Sequence, residues 1–268
     1  MDKHIASAQN AFVKQCVLLI EKSRERRKQG LFLVEGQREI GLALSGGYQM
    51  SKLLYARQIA SEEEVQSIKT KASSTVECIS ITSEIYAKLA YRSTTEGMIA
   101  LFETRDLSVD KLDSDFKKPL ILVAEAPEKP GNIGALLRTA DAAKVDLVLI
   151  ANPKTDVYNP NIVRSSVGTV FTTTVATGTT EEILKFLTKN KISIYCAALQ
   201  ASEPYHTQNY KESTAIVVGT EATGLSESWL TNSTQNIIIP MSGQIDSMNV
   251  SVAAGILIFE AKRQRGFN

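Results

Sequence analysis

Apolar and polar positions alternate along this chain in two distinct rhythms. Near the start, Phe12, Val13, Cys16, Val17, Leu19 and Ile20 recur at spacings of three and four, which predicts a helix through the first 29 residues with one apolar stripe. Gly30 then stops it, and residues 31–34 (Leu-Phe-Leu-Val) form a short strand. A helix over 37–45, a strand over 53–56, a helix opened by the capping-box spacing Ser61-x-x-Glu64, a strand over 75–81, a helix over 83–90 and a strand over 98–102 follow. Residues 103–118 hold five acids, four bases and few apolar side chains, which is the pattern of a linker.

Beyond Pro119 come five apolar runs: 120–124, 146–150, 192–198, 215–219 and 237–240. Helical stretches near 133–143, 160–167, 180–190 and 247–265 lie among them, and Thr179-x-x-Glu182 repeats the capping box. Continuously apolar strands separated by amphipathic helices predict a mostly parallel sheet covered on both faces. The expected organisation is an α/β module over 1–102, a linker over 103–118 and a second α/β module over 119–268.

Composition narrows the chemistry. Two histidines, His4 and His206, cannot readily supply a Ser-His-Asp triad or an H-E-x-x-H zinc site. Cys16, Cys78 and Cys196 are far apart with no C-x-x-C pair, so three buried thiols in a reducing compartment are expected, with no metal. No apolar run approaches the ~18 residues of a membrane span, and the N-terminus has no signal-peptide pattern. A cytoplasmic protein with no membrane partner is the expectation. The formal charge of +1 conceals a basic entry: up to Gln29 there are seven bases against three acids.

Three loops of the second module carry candidate chemistry. In Pro130-Gly-Asn132-Ile-Gly134-Ala-Leu-Leu-Arg138, Asn132 suits an N-cap, and Gly134 shares a helix face with Arg138. In Gly219-Thr-Glu221-Ala-Thr-Gly224-Leu225, two glycines after a strand allow a ligand close to the backbone. Ile239-Pro-Met-Ser-Gly-Gln-Ile-Asp246-Ser247-Met248-Asn249-Val250-Ser251 runs into the last helix, with Ser247 or Asp246 able to cap it. Taken singly, each also reads as an ordinary capped helix or solvated turn. No G-x-G-x-x-G or Walker motif occurs, which removes the main support for a Rossmann dinucleotide site.

Together and in this order, the three loops resemble the motifs of the SpoU (TrmH-type) branch of the SPOUT RNA 2′-O-methyltransferases. Thr220 and Ala222 depart from the usual Asn and Gly, and Met248 from a usual Leu. Phe32-Leu-Val-Glu35-Gly36-Gln-Arg38-Glu39 is similar to the ribosomal-protein-like substrate-binding domain of many members. The resemblance implies an N-terminal α/β substrate-binding domain and a C-terminal SPOUT domain with a deep trefoil knot. It implies methyl transfer from S-adenosylmethionine, leaving S-adenosylhomocysteine, to a ribose of structured RNA. The large N-terminal module favours 23S ribosomal RNA, with transfer RNA or a non-catalytic RNA- or ribosome-binding role as alternatives.

By the same resemblance, Arg138, Asn132, Glu221, Ser247 and Asn249 form the catalytic set. Leu199, Gly219, Gly224, Ile239, Met248 and Val250 meet the cofactor, and a homodimer forms through the catalytic domain. A guanidinium is a poor base, so Arg138 is expected to hold ribose and phosphate by charge-assisted hydrogen bonds. In the first module, Asn10, Lys14, Lys22, Arg24, Arg26, Arg27 and Arg38 are the candidates for RNA contact.

Overall fold

The computed structural model describes residues 2–72, 76–91, 96–112, 115–200, 202–220, 223–244 and 247–267. Contacts gather into two compact units. One is Met1–Arg105 with Asp156–Thr172, and the other is Asp106–Thr155 with Thr173–Asn268. Segment 156–172, which lies inside the stretch read from sequence as the second module, thus packs with the first unit.

The first unit contains β1 (Lys3–Ile5), α1 (Ala11–Glu21), α2 (Ser23–Gln29), β2 (Leu31–Glu35), α3 (Gln37–Ser45), β3 (Met50–Ala56), α4 (Glu62–Lys71), β4 (Glu77–Ile81), α5 (Ser83–Leu89) and β5 (Met98–Glu103). The strands form a mixed sheet in the order β1-β4-β3-β5-β2, with β5 antiparallel to both neighbours. Successive strand residues face opposite ways, and the core follows from that alternation. Leu33 and Leu101 pack with Val13, Cys16 and Leu19 of α1 and Ile85 and Leu89 of α5. Their neighbours Phe32 and Phe102 belong to an aromatic nest with Tyr48, Tyr158 and Phe171, in which Phe32 stacks on Tyr158 at 4.3 Å between ring centroids. Tyr158 and Phe171 are why segment 156–172 belongs here.

The single entry helix expected over the first 29 residues is two helices preceded by an edge strand. The break falls at Lys22, whose backbone is extended (φ −122°, ψ 112°). Arg26 explains why the break is tolerated. Its Nη1 donates to the carbonyls of Leu19 and Ile20 at 2.7 and 3.0 Å, in the last turn of α1, where no intrahelical donor remains.

The second unit contains β6 (Leu120–Glu125), α6 (Pro130–Ala142) and β7 (Leu147–Ala151), and the chain then visits the first unit through α7 (Pro160–Ser165). It returns as β8 (Val175–Gly178), α8 (Thr180–Lys189), β9 (Ser193–Ala197), β10 (Glu203–Pro204), β11 (Thr214–Val218), α9 (Glu227–Asn232), β12 (Gln235–Ile238) and α10 (Val250–Gln264). The sheet runs β10-β12-β9-β11-β6-β7-β8, and every pairing in it is parallel. Ile121, Val123, Leu149, Cys196 and Val217 meet Ile183 and Leu187 of α8 and Trp229 of α9. On α6 and α10, Leu136, Leu137, Ala254, Leu257 and Ile258 are buried, and Gly255 lies beside Thr139. Both capping boxes form, at Ser61 and Thr179. Cys16 and Cys196 are fully buried, whereas Cys78 is only half-buried, against the expectation of three buried thiols.

Candidate active site

Parallel strands put their carboxyl ends on one edge of the sheet, and the register here aligns four of them. Ala197 of β9 lies opposite Ile237 of β12, Cys196 opposite Val217 of β11, and Val218 opposite Ala124 of β6. Leu199, Gly219 and Ile239 therefore follow the ends of three adjacent strands, and the loop into α6 follows the fourth. From β6 the chain builds the sheet toward β7 and β8, then continues on the other side with β9. The crevice between β6 and β11 is thus a topological switch point, where open α/β sheets bind ligands.

Gly219 shapes one wall of that crevice. A Cβ there would meet the carbonyl carbon and oxygen of Gly224 at 2.3 and 2.4 Å and the nitrogen of Leu225 at 2.6 Å, all backbone atoms that cannot move aside cheaply. The approach is fixed by reciprocal backbone hydrogen bonds between Thr220 and Gly224, 3.1 Å each, and Gly224 adopts φ +68°. Inside this neck, the Thr220 and Thr223 hydroxyls hydrogen-bond at 2.8 Å, and the Thr223 N–H donates to Thr220 Oγ1 at 3.0 Å. Glu221 lies outside the described residues.

α6 forms the facing wall, and its start differs from the sequence expectation. Pro130 occupies the first turn and Lys129 is the N-cap, because proline needs no hydrogen-bond acceptor there. Asn132 therefore sits inside the first turn, and its Oδ1 accepts from Asn249 Nδ2 at 3.3 Å. Asn249 is also the cap of α10, where Ser247 or Asp246 had been expected. Its Oδ1 accepts from the Ser251 N–H at 3.0 Å and the Ser251 hydroxyl at 2.6 Å. One carboxamide thus caps the last helix with its oxygen and reaches the first loop with its nitrogen.

A small cleft is lined by Ala124, Pro127, Asn132, Gly219, Thr220 and Val250, so it joins all three loops. Met248 is half-buried just before α10, and Ser247 is exposed beside it. Leu199 is 60% exposed, a large apolar side chain left to solvent at a strand end. Arg138 is exposed on α6 and makes no hydrogen bond or ion pair with a described residue, so the structure leaves its guanidinium unoccupied by those partners. A larger open depression between α8 and α9, lined by Thr179, Lys185, Lys189 and Asn232, holds none of the expected site residues.

In the first unit, Lys14, Lys22, Arg24, Arg27 and Arg38 are exposed and unpaired with any described residue. Asn10 is the cap of α1, its Oδ1 accepting from the Phe12 N–H at 2.9 Å. Arg26 must be withdrawn from the RNA-contact set. It is 2% exposed, and Nε and Nη2 form a bidentate pair with Asp156 at 3.0 and 2.7 Å while Nη1 holds the end of α1. Its position in a basic run gave no sign of this, and Asp156, more than a hundred residues away, carried none either. Sequence reasoning also passed over Glu125, a buried carboxylate at the end of β6.

A parallel α/β unit whose glycine-necked and asparagine-bridged loops meet at its switch point is of the class that binds a ligand at the carboxyl ends of its strands. The chain belongs to the SpoU rRNA Methylase family, whose model matches residues 119–259. An MRM3-like substrate binding domain matches residues 10–100. The chain is 29% identical over 260 residues to the 23S rRNA (guanosine(2553)-2′-O)-methyltransferase RlmP of Bacillus subtilis, covering 97% of this chain and 99% of that protein. It is 28% identical to the 23S rRNA (uridine(2479)-2′-O)-methyltransferase of Streptomyces viridochromogenes, over 97% of this chain and 92% of that one. Among solved structures, an RNA 2′-O ribose methyltransferase superposes with a TM-score of 0.83 at 34% identity, covering 98% of this chain and 99% of that chain. The SpoU methyltransferase AviRb from Streptomyces viridochromogenes, in complex with AdoMet, gives 0.88 at 26% identity over 96% and 98%.

Proposed function

We propose that the protein is an S-adenosylmethionine-dependent RNA ribose 2′-O-methyltransferase acting on 23S ribosomal RNA. The observation that carries this reading is the meeting of the three loops at one crevice: the Gly219 neck, Asn132 on α6, and Asn249 bridging the two helices. The names of the relatives, and the AdoMet bound to AviRb, support both the cofactor and the ribosomal substrate. The residues suit such a cofactor. The Gly219 neck lines the cleft with backbone rather than side chain, while Leu199, Ile239, Met248 and Val250 offer apolar surface to a purine and its thioether chain. When bound, S-adenosylmethionine supplies an already activated methyl group.

The chain's own task is then to bind and orient the ribose. Arg138 holds the target phosphate and ribose hydroxyls through its forked donors, which a lysine cannot reproduce. Asn132 and Asn249 fix each other and the starts of α6 and α10, while Ser247 and Glu221 complete the nucleotide-facing set. The exposed Lys14, Lys22, Arg24, Arg27 and Arg38 supply phosphate contacts, with Asn10 near them. The further reading is a division into substrate-binding residues 1–102, a linker over 103–118 and a catalytic domain over 119–268 with a trefoil knot. It also includes a cytoplasmic location and a homodimer through the catalytic domain, to which exposed Val252 and Phe259 of α10 offer apolar surface.

The test is transfer of labelled methyl from S-adenosylmethionine to ribosomal RNA from cells lacking this protein, followed by nucleoside analysis. A 2′-O-methylated nucleoside that is absent without the enzyme supports the reading. Label on a base, or none on any RNA while the cofactor binds, overturns it.

A further inference from the structure

Glu125 ends β6 at 6% exposure, and no motif accounts for it. Its Oε2 accepts from the Ser226 N–H at 2.8 Å, and Oε1 accepts from the Ser226 hydroxyl at 2.7 Å and the Thr180 hydroxyl at 3.0 Å. Thr180 Oγ1 in turn accepts from Asn152 Nδ2 at 2.9 Å. Among the described residues no Lys or Arg pairs with Glu125, so these donors alone offset the cost of burying a carboxylate.

The location gives the cluster its meaning. Ser226 directly follows Leu225, whose backbone nitrogen lies in the space that a Cβ on Gly219 would need. The loop after β11 is therefore held twice, at its neck by the Thr220–Gly224 bonds and at its exit by Glu125. Glu125 also stands five residues before Pro130, which starts α6. One carboxylate thus ties the glycine loop to the strand that launches Asn132 and Arg138, across the crevice between β6 and β11.

We infer that Glu125 is a positioning residue that locks the exit of the glycine loop, at Gly224–Ser226, to the end of β6 and thereby sets affinity for the cofactor, an inference that rests on the S-adenosylmethionine reading above. Acceptor chemistry orders the variants. Glu125→Ala leaves the Ser226 N–H without its partner. Glu125→Gln can still accept that N–H through its single carbonyl oxygen, with both hydroxyls turned to accept from its amide. Ser226→Ala removes only one hydroxyl and keeps the N–H bond.

The test is titration of S-adenosylmethionine into the full chain by calorimetry, with steady-state kinetics beside it. Glu125→Ala raises Kd and KM for the cofactor about tenfold to a hundredfold, the range for losing a hydrogen bond to a charged group. Its effect on kcat at saturating cofactor is smaller than its effect on Kd, because the bonds it removes hold the loop after β11 rather than Arg138. Glu125→Gln and Ser226→Ala raise Kd by smaller steps. A role confined to stability would lower the melting temperature and leave the Kd of folded protein unchanged, and that result, or a loss in kcat alone, overturns the inference. Should Glu125→Ala not fold, wild-type Kd in both milder variants overturns it equally. Amide exchange in the cofactor-free protein reads the lock independently: Glu125→Ala speeds exchange at Ser226, Gly224 and Thr220 about tenfold or more. If the wild type binds no S-adenosylmethionine, the proposed function fails, while unchanged exchange at those amides is what sinks the lock itself.

Discussion

The two units were read from sequence by different kinds of signal, and the structure treats them differently. In the second unit the candidates came from spaced glycines, asparagines and a proline at strand ends. In the first they came from a run of like charge. The sheet register sets Leu199, Gly219 and Ile239 just past strand ends on one edge, and Asn132 and Asn249 touch. The basic run instead divides: Lys22, Arg24 and Arg27 face solvent, while Arg26 is buried and spent on Asp156 and two carbonyls. Glycine and proline specify backbone geometry, which is local. A charge specifies nothing until its partner is known.

The largest effect that could break this comparison is predicted at Arg26. Arg26→Ala strands Asp156 and the end of α1, and should cost about 3–5 kcal/mol in the unfolding of the first unit. Arg24→Ala, two residues away and exposed, should leave the denaturation curve unmoved. Equal effects would mean that burial does not separate the two. Next in size is Gly219→Ala. Its Cβ has nowhere to go, and S-adenosylmethionine affinity should fall about a hundredfold by calorimetry with folding of the first unit intact. A fully active Gly219→Ala would remove the neck from the site.

Asn249→Ala should be smaller in stability and larger in function. Loss of the α10 cap costs about 1 kcal/mol in thermal unfolding, and methyl transfer should fall further than that, because Asn132 loses its partner too. Buried thiols mark each unit with a pH signature. Burial raises the Cys16 and Cys196 thiols from 9.0 to about 12. The folded chain keeps these protons after the unfolded chain has lost them, so the thiols' contribution to stability should be constant below about pH 9 and be lost as pH rises from 9 toward 12. Urea midpoints across that range, compared with a Cys16→Ala/Cys196→Ala double variant whose fall is shallower, check the sign. Smallest per residue are the exposed cations. Each of Lys14, Lys22, Arg24 and Arg27 that meets a phosphate should, on neutralisation, flatten the salt dependence of RNA binding by about 0.7–0.9 in slope. Cofactor affinity should not change.

Much of the fold was legible because its patterns are short-range. The apolar runs at 120–124 and 215–219 became adjacent parallel strands, and both capping boxes formed as spaced. β8 and β10 escaped notice because Val175–Gly178 and Glu203–Pro204 are too short and polar to show a period. The break at Lys22 carries no glycine or proline, and what makes it tolerable lies in a side chain four residues on and a carboxylate in another part of the chain. Helix caps were misplaced by a few residues at Asn132 and Ser247. Proline at a first turn and an asparagine that serves two loops are settled by geometry rather than by spacing. Glu125 was invisible for a related reason: its donors sit 55 and 101 residues away.

The most direct test of the contrast between the units is amide hydrogen exchange of the full chain with and without S-adenosylmethionine. Protection is predicted at the ends of β9, β11 and β12 and at the start of α10, around Leu199, Gly219–Leu225, Ile239 and Met248–Val250, with the first unit unchanged. Protection confined to the first unit, or to the depression between α8 and α9, would contradict the account.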